Sequence, residues 1–257
     1  MNSVRFVCVC LIIFMSAQIL SAQTADEIIN RFLEVTGRKD GLKNVNSIYI
    51  KRSIYNRDTG VTSYLVSYIK RPDIVRLEWI SASGEKTIRA YDGKKAWTAK
   101  YDPETDSLTG VKGIPPDTPL FIVFFKNVNI DNNFYGQFVD YSEKGSSAEF
   151  AGKETIDGKE MYHVKMFREK DHAVHYYFDA STGLIYKHWE LDEQGRTHSS
   201  LYLDYRKAGD ILIPFTHINT GPLRDDPEVV IEEKNLEVKM NIPLSDSLFI
   251  KPEKNNE

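Results

Sequence analysis

The alternation of apolar and polar side chains along this 257-residue chain is the feature that most limits its fold. Between Val45 and Met240, apolar residues recur at every second position in many short segments. Side chains of a β-strand point alternately to the two faces of a sheet, so these segments predict strands with one apolar face. Turn pairs such as Asp92-Gly93 and Asp157-Gly158 separate neighbouring segments and favour tight hairpins. About twelve strands joined in this way predict one antiparallel meander in a single domain.

Near the start of the chain, apolar residues recur with the period of a helix instead. Ile28, Phe32 and Val35 recur at the spacing of one helix face. Thr24 and Glu27 precede them, and a Thr followed three positions later by Glu forms a capping box at a helix start. The pattern therefore predicts a helix from Thr24 to Val35.

The middle of the chain departs from the alternation twice. Asp102 to Pro116 is rich in Pro and Gly and predicts a loop. Leu120 to Phe125 is a wholly apolar run, which is compatible with either a short helix or a buried strand. Thr118 as an N-cap and Pro119 at the first helical position favour the helix. Strands with one apolar face, followed by a wholly apolar run, suggest a surface that needs a lid.

The first 22 residues have the features of a secretory signal peptide. Arg5 supplies the positive start, Phe6 to Met15 the apolar centre, and Leu20-Ser21-Ala22 a small residue at the cleavage point. An uncleaved anchor is the alternative, but the apolar run is shorter than the ~20 residues that span a bilayer. We expect cleavage after Ala22 and export to the periplasm.

The residue after the cleavage point indicates that the exported protein is soluble and carries no lipid. Gln23 stands where a lipoprotein needs Cys. Cys8 and Cys10, the two cysteines of the chain, both lie in the signal segment. The mature chain is therefore predicted to have no disulfide, no thiolate nucleophile and no cysteine metal site.

Composition and motifs give no sign of catalysis. The net charge of −4 includes no basic stripe, which argues against nucleic acid as a partner. No Gly-x-Ser-x-Gly elbow, phosphate loop or dinucleotide fingerprint occurs in the sequence. His172 and His175 are the closest pair of histidines, but on a strand they would point to opposite faces. We expect no metal, no cofactor and no enzymatic activity.

A large curved sheet with an apolar concave face could hold a lipid-sized ligand. The same pattern also fits a sheet that packs on its own helices, and the alternation alone leaves both interpretations open.

Several motifs, in order, resemble the LolA/LolB-like family of periplasmic carriers that sort outer-membrane lipoproteins. They are Ile69-Lys70-Arg71-Pro72 at a strand end, the strand Ile74 to Trp79, Asp92-Gly93-Lys94 followed by Trp97, and Thr118-Pro119-Leu120-Phe121-Ile122. The resemblance implies an unclosed antiparallel β-barrel of about eleven strands. Short α-helices, Thr24–Val35 and Pro119–Phe125, would form a lid over a hydrophobic concave face.

The function implied by this resemblance is that of a soluble periplasmic carrier or chaperone. It would bind the acyl chains of a lipid-modified protein and deliver that protein toward the outer membrane. Its partners would be an inner-membrane donor complex and an outer-membrane acceptor, both transient, and we expect a monomer. The alternative is a non-carrier lipid-binding or envelope-stress-sensing protein with the same fold.

The resemblance also predicts which residues form the cavity and the lid. Arg71 matches the family's arginine for lid closure and cargo handover. If Arg71 points inward, strand alternation places Leu65 and Ile69 on the same face. The full set of predicted cavity and lid residues is Arg71, Leu65, Ile69, Val75, Leu77, Trp79, Trp97, Leu120, Phe121 and Phe124. The expected organisation is a signal peptide (1–22), one LolA-like domain (23–252) and a frayed tail (253–257).

Overall fold

The structure is a computed structural model that describes residues 24–126, 128–134, 136–169, 172–223 and 226–253. The predicted signal peptide, residues 1–22, lies outside the described residues, and so do Gln23 and residues 254–257 of the predicted tail. The proposed division of the chain at these points therefore stays a prediction.

The predicted N-terminal helix is present as α1, Ala25–Val35, with Thr24 as its N-cap. The backbone N–H of Glu27 donates to Oγ1 of Thr24 at 3.2 Å, and the backbone N–H of Thr24 donates to the Glu27 carboxylate at 3.0 Å. Both halves of the capping box are formed, which satisfies N–H groups that a helix start leaves free. A short helix α2, Arg38–Gly41, and a 3-10 turn, Leu42–Asn44, lead into the sheet.

Thirteen antiparallel strands form one sheet. The first meander comprises β1 Ser47–Asn56, β2 Val61–Lys70, β3 Ile74–Ile80, β4 Lys86–Tyr91, β5 Ala96–Tyr101 and β6 Leu108–Ile114. The second comprises β7 Ser147–Ile156, β8 Lys159–Glu169, β9 His172–Asp179, β10 Ile185–Leu191, β11 Thr197–Ala208, β12 Ile211–Leu223 and β13 Asp226–Met240.

The two meanders join through their outer strands in the sequence. Strand β1 pairs with β13, with Ile48 opposite Met240 and Ile50 opposite Val238, while every other pairing is between consecutive strands. The sheet therefore runs from β6 at one edge to β7 at the other, and within the described residues these edges do not pair. The predicted mainly β, unclosed antiparallel barrel is confirmed.

Strand β6 corrects one expectation. It lies inside residues 102–116, which we predicted as a loop, and it brings the strand count to thirteen instead of eleven or twelve. Gly110 and Gly113 interrupt its alternation and hide the strand pattern. An edge strand tolerates such residues because it needs a partner on one side only, and β6 pairs with β5 alone.

The chain between β6 and β7 must pass from one edge of the sheet to the other. We call residues 115–146 the crossover and, within it, residues 119–126 the plug. The crossover carries helix α3 Pro119–Phe121, a π-helical turn Ile122–Lys126, helix α4 Ile130–Asn133 and a 3-10 turn Gly136–Phe138. The predicted start of the plug helix is confirmed, because the N–H of Phe121 donates to Oγ1 of Thr118 at 3.2 Å.

The helices and the crossover pack on one face of the sheet, which we call the inner face. On the β1–β6 side, its buried residues include Ile48, Ile69 and Val75, and Phe125 and Ile130 of the crossover pack against them. On the β8–β11 side, the buried faces of α1 and Phe138 of the crossover cover Val164, Met166, Val174, Tyr176 and Phe178. One connection therefore contributes to both halves of the core.

The outer face of strands β4 and β5 has its own small cluster. Ile88, Ala90, Trp97 and Ala99 are buried there. The 3-10 turn Asp246–Phe249 lies over them, and the indole N–H of Trp97 donates to the carbonyl of Phe249 at 2.8 Å.

Phe32 packs α1 against the crossover and the sheet. It is fully buried, and its ring contacts those of Phe138 and Phe178 at centroid distances of 5.6 and 5.7 Å. We expect Phe32→Ala to lower the free energy of unfolding by about 3–5 kcal/mol, since it removes a large buried ring and leaves a cavity. Val35→Ala is the matched control on the same helix, because Val35 is 43% exposed. Urea unfolding measures both, and equal effects would contradict this packing.

Candidate functional site

The apolar part of the inner face lies beneath the plug. Phe121 and Phe125 contact the ring of Tyr91 at centroid distances of 5.3 and 5.9 Å. Leu65 and Leu77 belong to the same cluster, and Leu77 is 8% exposed. In this conformation, plug side chains occupy the surface on which we expected a ligand, so an acyl chain could reach that surface only by displacing them.

The opposite side of the plug is apolar as well. Leu120 and Ile122 are each 37% exposed, and Val123 is 63% exposed. A helical segment that is apolar all round, and too short to bury every side chain, must leave some of them in water. The plug is thus held to the sheet by part of its apolar surface only.

Arg71 connects the β2–β3 turn to the segments that cover the inner face. Its Nη1 and Nη2 donate to the two carboxylate oxygens of Asp131 at 3.1 and 2.8 Å. Its Nε donates to the carbonyl of Val45 at 2.8 Å, and Nη2 also donates to the carbonyl of Leu42 at 3.1 Å. A single guanidinium therefore joins α4 of the crossover to the chain that follows α2.

The ion pair between Arg71 and Asp131 is bidentate but half-exposed. The hydrogen bonds to Asp131 raise the pKa of Arg71, which stays charged at any physiological pH. The side chains of Arg71 and Asp131 are 31% and 47% exposed. Water screens such a pair, so its net contribution is about 0–1 kcal/mol. This geometry suits a contact that orients the crossover and can be broken at low cost.

Arg38 forms a second and more permanent link. Its side chain is fully buried, with Nε donating to the carbonyl of Phe134 at 2.6 Å and Nη1 to that of Leu212 at 2.8 Å. Its guanidinium also lies 5.0 Å from the ring centre of Phe32. Sequence reasoning missed Arg38 and Asp131, because their partners lie far along the chain and no local pattern marks them.

The structure brings most of the predicted site residues to one surface. Ile69, Val75 and Leu77 are buried in the inner-face cluster, with Leu65, Phe121 and Phe124 packed against it. Register places Trp79 on the same face, opposite Leu65. Leu120 does not belong to this cluster and is 37% exposed. Arg71 lies in the turn between β2 and β3 and makes the contacts given above.

Trp97 is the exception among these residues and corrects our expectation for it. Its register partner is Ala90, and both side chains belong to the outer-face cluster under Phe249. A residue one position away, such as Ala96, lies on the inner face instead. Trp97 therefore cannot line the surface that Leu77 and Val75 form.

A cavity of about 840 Å³ opens on the inner face of the other meander, and none of the predicted residues lines it. Its floor includes His188, Ser200 and Asn219, which are neighbours in the register of β10, β11 and β12. Ser200 Oγ donates to Oδ1 of Asn219 at 2.6 Å, and Asn219 Nδ2 donates to Glu233 at 3.1 Å. The volume is in the range of small-molecule sites, but the polar floor suits alkyl chains poorly.

The two histidines that the sequence analysis placed on opposite faces are indeed separated. His172 lines the cavity and lies 3.0 Å from a carboxylate oxygen of Glu190. His175 is on the outer face, where its Nδ1 lies 2.8 Å from Nε2 of His163. In the part of the chain that the structure describes, no group of three or more His, Cys, Asp or Glu residues is placed to hold a metal ion.

Comparison with known proteins gives structural matches only. No family model and no curated protein matches the sequence. The structure is similar to a LolA superfamily protein from Nitrosomonas europaea, with a TM-score of 0.51 and 16% identity over 90% of this chain and 99% of that one. It is also similar to a DUF1329 family protein from Desulfovibrio piger, with a TM-score of 0.50 and 16% identity over 86% of this chain and 97% of that one.

The chain has the LolA-like fold. The resemblance inferred from the ordered motifs is thus confirmed at the level of the fold. In the LolA-like fold of this protein, Arg71 and the plug lie together at one end of the inner face. None of the helices among the described residues has the length and apolar character needed to cross a membrane.

The contact between Arg71 and Asp131 should control how often the crossover opens. Asp131→Asn removes the ionic partner but leaves the bonds to the carbonyls of Leu42 and Val45. We expect faster hydrogen–deuterium exchange in residues 119–134, with a loss of less than about 1 kcal/mol in global stability. Lys70→Gln is the control, because it breaks the adjacent exposed pair with Asp246. The same exchange rate in all three proteins would show that Asp131 does not hold the crossover.

His188 in the floor of the cavity should make the free energy of unfolding depend on pH. Burial lowers the pKa of His188 to about 4, whereas an unfolded chain has a histidine pKa of about 6.5. Between these values the unfolded state binds a proton that the folded state does not, so stability falls as pH falls. From pH 7 to pH 5 we expect His188 alone to account for a loss of about 2 kcal/mol.

Chemical unfolding of the wild type and of His188→Gln at both pH values measures this contribution. The loss on going from pH 7 to pH 5 should be smaller in His188→Gln than in the wild type. An equal loss in the two proteins would show that His188 accepts a proton as easily in the folded state as in the unfolded one.

Proposed function

We propose that this protein is a periplasmic carrier that binds acyl chains between the inner face and the crossover. The proposed cargo is a lipid-modified protein on its way to the outer membrane, and the binding involves no catalytic step. One observation carries the proposal: an apolar surface is covered by a segment that is itself apolar on both sides, and the helix that follows this segment, α4, is held by a half-exposed ion pair.

The energetics favour exchange between the plug and a ligand. Phe121, Phe124 and Phe125 pack on the inner face in this conformation. Each buried CH₂ of an acyl chain contributes about 0.8 kcal/mol, so a few methylenes outweigh the Arg71 contacts. Because the plug returns to the same surface when the ligand leaves, the closed state also reduces the net affinity and makes release possible.

The proposed route follows from the expected export of the chain. A signal peptide ending at Ala22, followed by Gln23 instead of Cys, gives a protein that is exported without a lipid anchor. Cargo would then pass from an inner-membrane donor complex to this protein, and from it to an acceptor at the outer membrane. The exposed side chains Leu120, Ile122 and Val123 offer an apolar contact during such a handover.

Arg71→Leu tests the proposed carrier role. The variant should bind a fluorescent triacylated lipopeptide as tightly as the wild type or up to about fivefold more tightly, because its closed state lacks an interaction that contributes at most about 1 kcal/mol. Transfer of the loaded lipopeptide to phosphatidylethanolamine/phosphatidylglycerol vesicles should be slower by a similar factor. Binding is followed by fluorescence anisotropy and transfer by loss of the complex over time.

Lys70→Gln serves as the control, since it removes a charge beside Arg71 without touching the crossover. Wild-type transfer by Arg71→Leu would show that this arginine has no part in release. A wild-type protein that holds the lipopeptide tightly and never transfers it would favour the alternative, a lipid-binding sensor. A protein that binds no acylated probe would overturn the proposed function altogether.

A further inference from the structure

One arginine on the inner face has no oxygen partner. Each of the other arginines within the described ranges donates to a carboxylate, a carbonyl or a hydroxyl. Arg89 makes no such bond, and its Nε is buried without any hydrogen-bond partner. Its guanidinium lies 4.2 Å from the ring centre of Phe124, so the plug covers it directly.

No carboxylate among the described residues forms an ion pair with Arg89. Burial lowers the pKa of Arg89, and no carboxylate acts against that effect. The sequences of strands β3 to β6 contain one carboxylate, Glu78, which lies on the outer face and accepts a bond from Arg76 at 2.6 Å. Strand alternation and register place Lys100 and Lys112 on the inner face with Arg89. This part of the inner face is therefore cationic as well as apolar.

We propose that Arg89, assisted by Lys100 and Lys112, binds the anionic group of an amphiphile when the plug leaves the inner face. The ligand class is a carboxylate or phosphate attached to an acyl chain. This inference rests on the proposed function, because it uses the same acyl-binding surface, but it assigns a charged ligand that a neutral lipid-modified terminus does not supply.

The chemistry of the guanidinium supports this ligand class. Its five N–H donors form a planar fork that matches two oxygens of a carboxylate or phosphate. The ring of Phe124 offers only its π face, and Nε of Arg89 is buried without an acceptor. Leu77 is the register partner of Arg89 on β3, so a chain attached to the bound anion begins beside the apolar surface. Thr98 lies between Arg89 and Lys112 in the register, which places the Cα atoms of Arg89 and Lys112 about 10 Å apart.

The test compares amphiphiles that differ only in the charge of the head group. The probes are a fluorescent C16 fatty acid, its methyl ester and the corresponding alkyl phosphate, with acetate and inorganic phosphate as anions without a chain. We expect the wild-type protein to bind the fatty acid or the alkyl phosphate at least about tenfold more tightly than the ester. Arg89→Gln should remove this preference and leave the affinity for the ester unchanged.

Arg57→Gln is the matched control, because it also removes one positive charge and Lys234 still pairs with Glu232. It should keep the wild-type preference. Thermal unfolding should show that Arg89→Gln is at least as stable as the wild type, since it removes a partly buried charge without a partner.

Each outcome decides between the two proposals. Equal affinity of the wild type for acid, phosphate and ester overturns the role of Arg89, while binding of the ester and lipopeptide leaves the carrier function standing. Loss of preference in Arg57→Gln as well would reduce the effect to net charge and overturn the assignment. Tight binding of acetate or inorganic phosphate alone would also overturn it, because the ligand would then need no chain. Failure of the wild type to bind any chain overturns both proposals.

Discussion

The pairing of β1 with β13 determines much of this structure. It joins strands from the two ends of the chain, with Ile48 opposite Met240, and so makes one sheet from two meanders. Closing so long a loop costs entropy, which many hydrogen bonds and the burial of residues such as Ile50 offset. Because the terminal strands are central, both sheet edges belong to strands from the middle of the chain. The crossover between those edges must then pass over one face of the sheet, and its side chains pack on the inner face, so the topology supplies a cover for the site.

The same topology explains why the weak ion pair between Arg71 and Asp131 can control the opening of the crossover. The crossover is anchored at its ends by β6 and β7, and along its length it depends on side-chain packing and on arginine contacts. Arg38 is buried and binds backbone carbonyls, so breaking its contacts would leave polar groups without partners. Arg71 is partly exposed, and water can replace Asp131 at small cost. The crossover is therefore held by one strong contact, from Arg38 to Phe134, and by one weak contact, from Arg71 to Asp131, and the weak contact is the one that can break when the crossover opens.

Local interactions explain which parts of the structure the sequence predicted. The capping box of α1, the Thr118 cap and the hairpin turns each involve residues a few positions apart, and all of them are present. Strand alternation placed Leu65 and Ile69 on one face, but it could not show which face of β5 belongs to the inner face of the sheet. Trp97 was assigned to the wrong face for that reason, since its burial depends on Phe249, 152 residues away. The sequence also could not show that Asp131 binds Arg71, because the two residues are 60 positions apart.

The two halves of the inner face differ in whether their arginines are paired with carboxylates. The alternation of apolar and polar residues along the sequence could not predict this difference. Near the cavity, Arg52 donates to Glu233 at 2.7 Å, and the bonds continue through Asn219 to Ser200, so the charge is balanced within the sheet. Beneath the plug, Arg89 has only the ring of Phe124. A cation–π contact recovers about 0.5–2 kcal/mol, less than a charge-assisted hydrogen bond in the same place. Displacing the plug exposes this cation to water or to an anion, and either one solvates it better. That solvation offsets part of the free energy needed to expose the apolar surface on opening, so the closed state is least favourable where the plug covers Arg89.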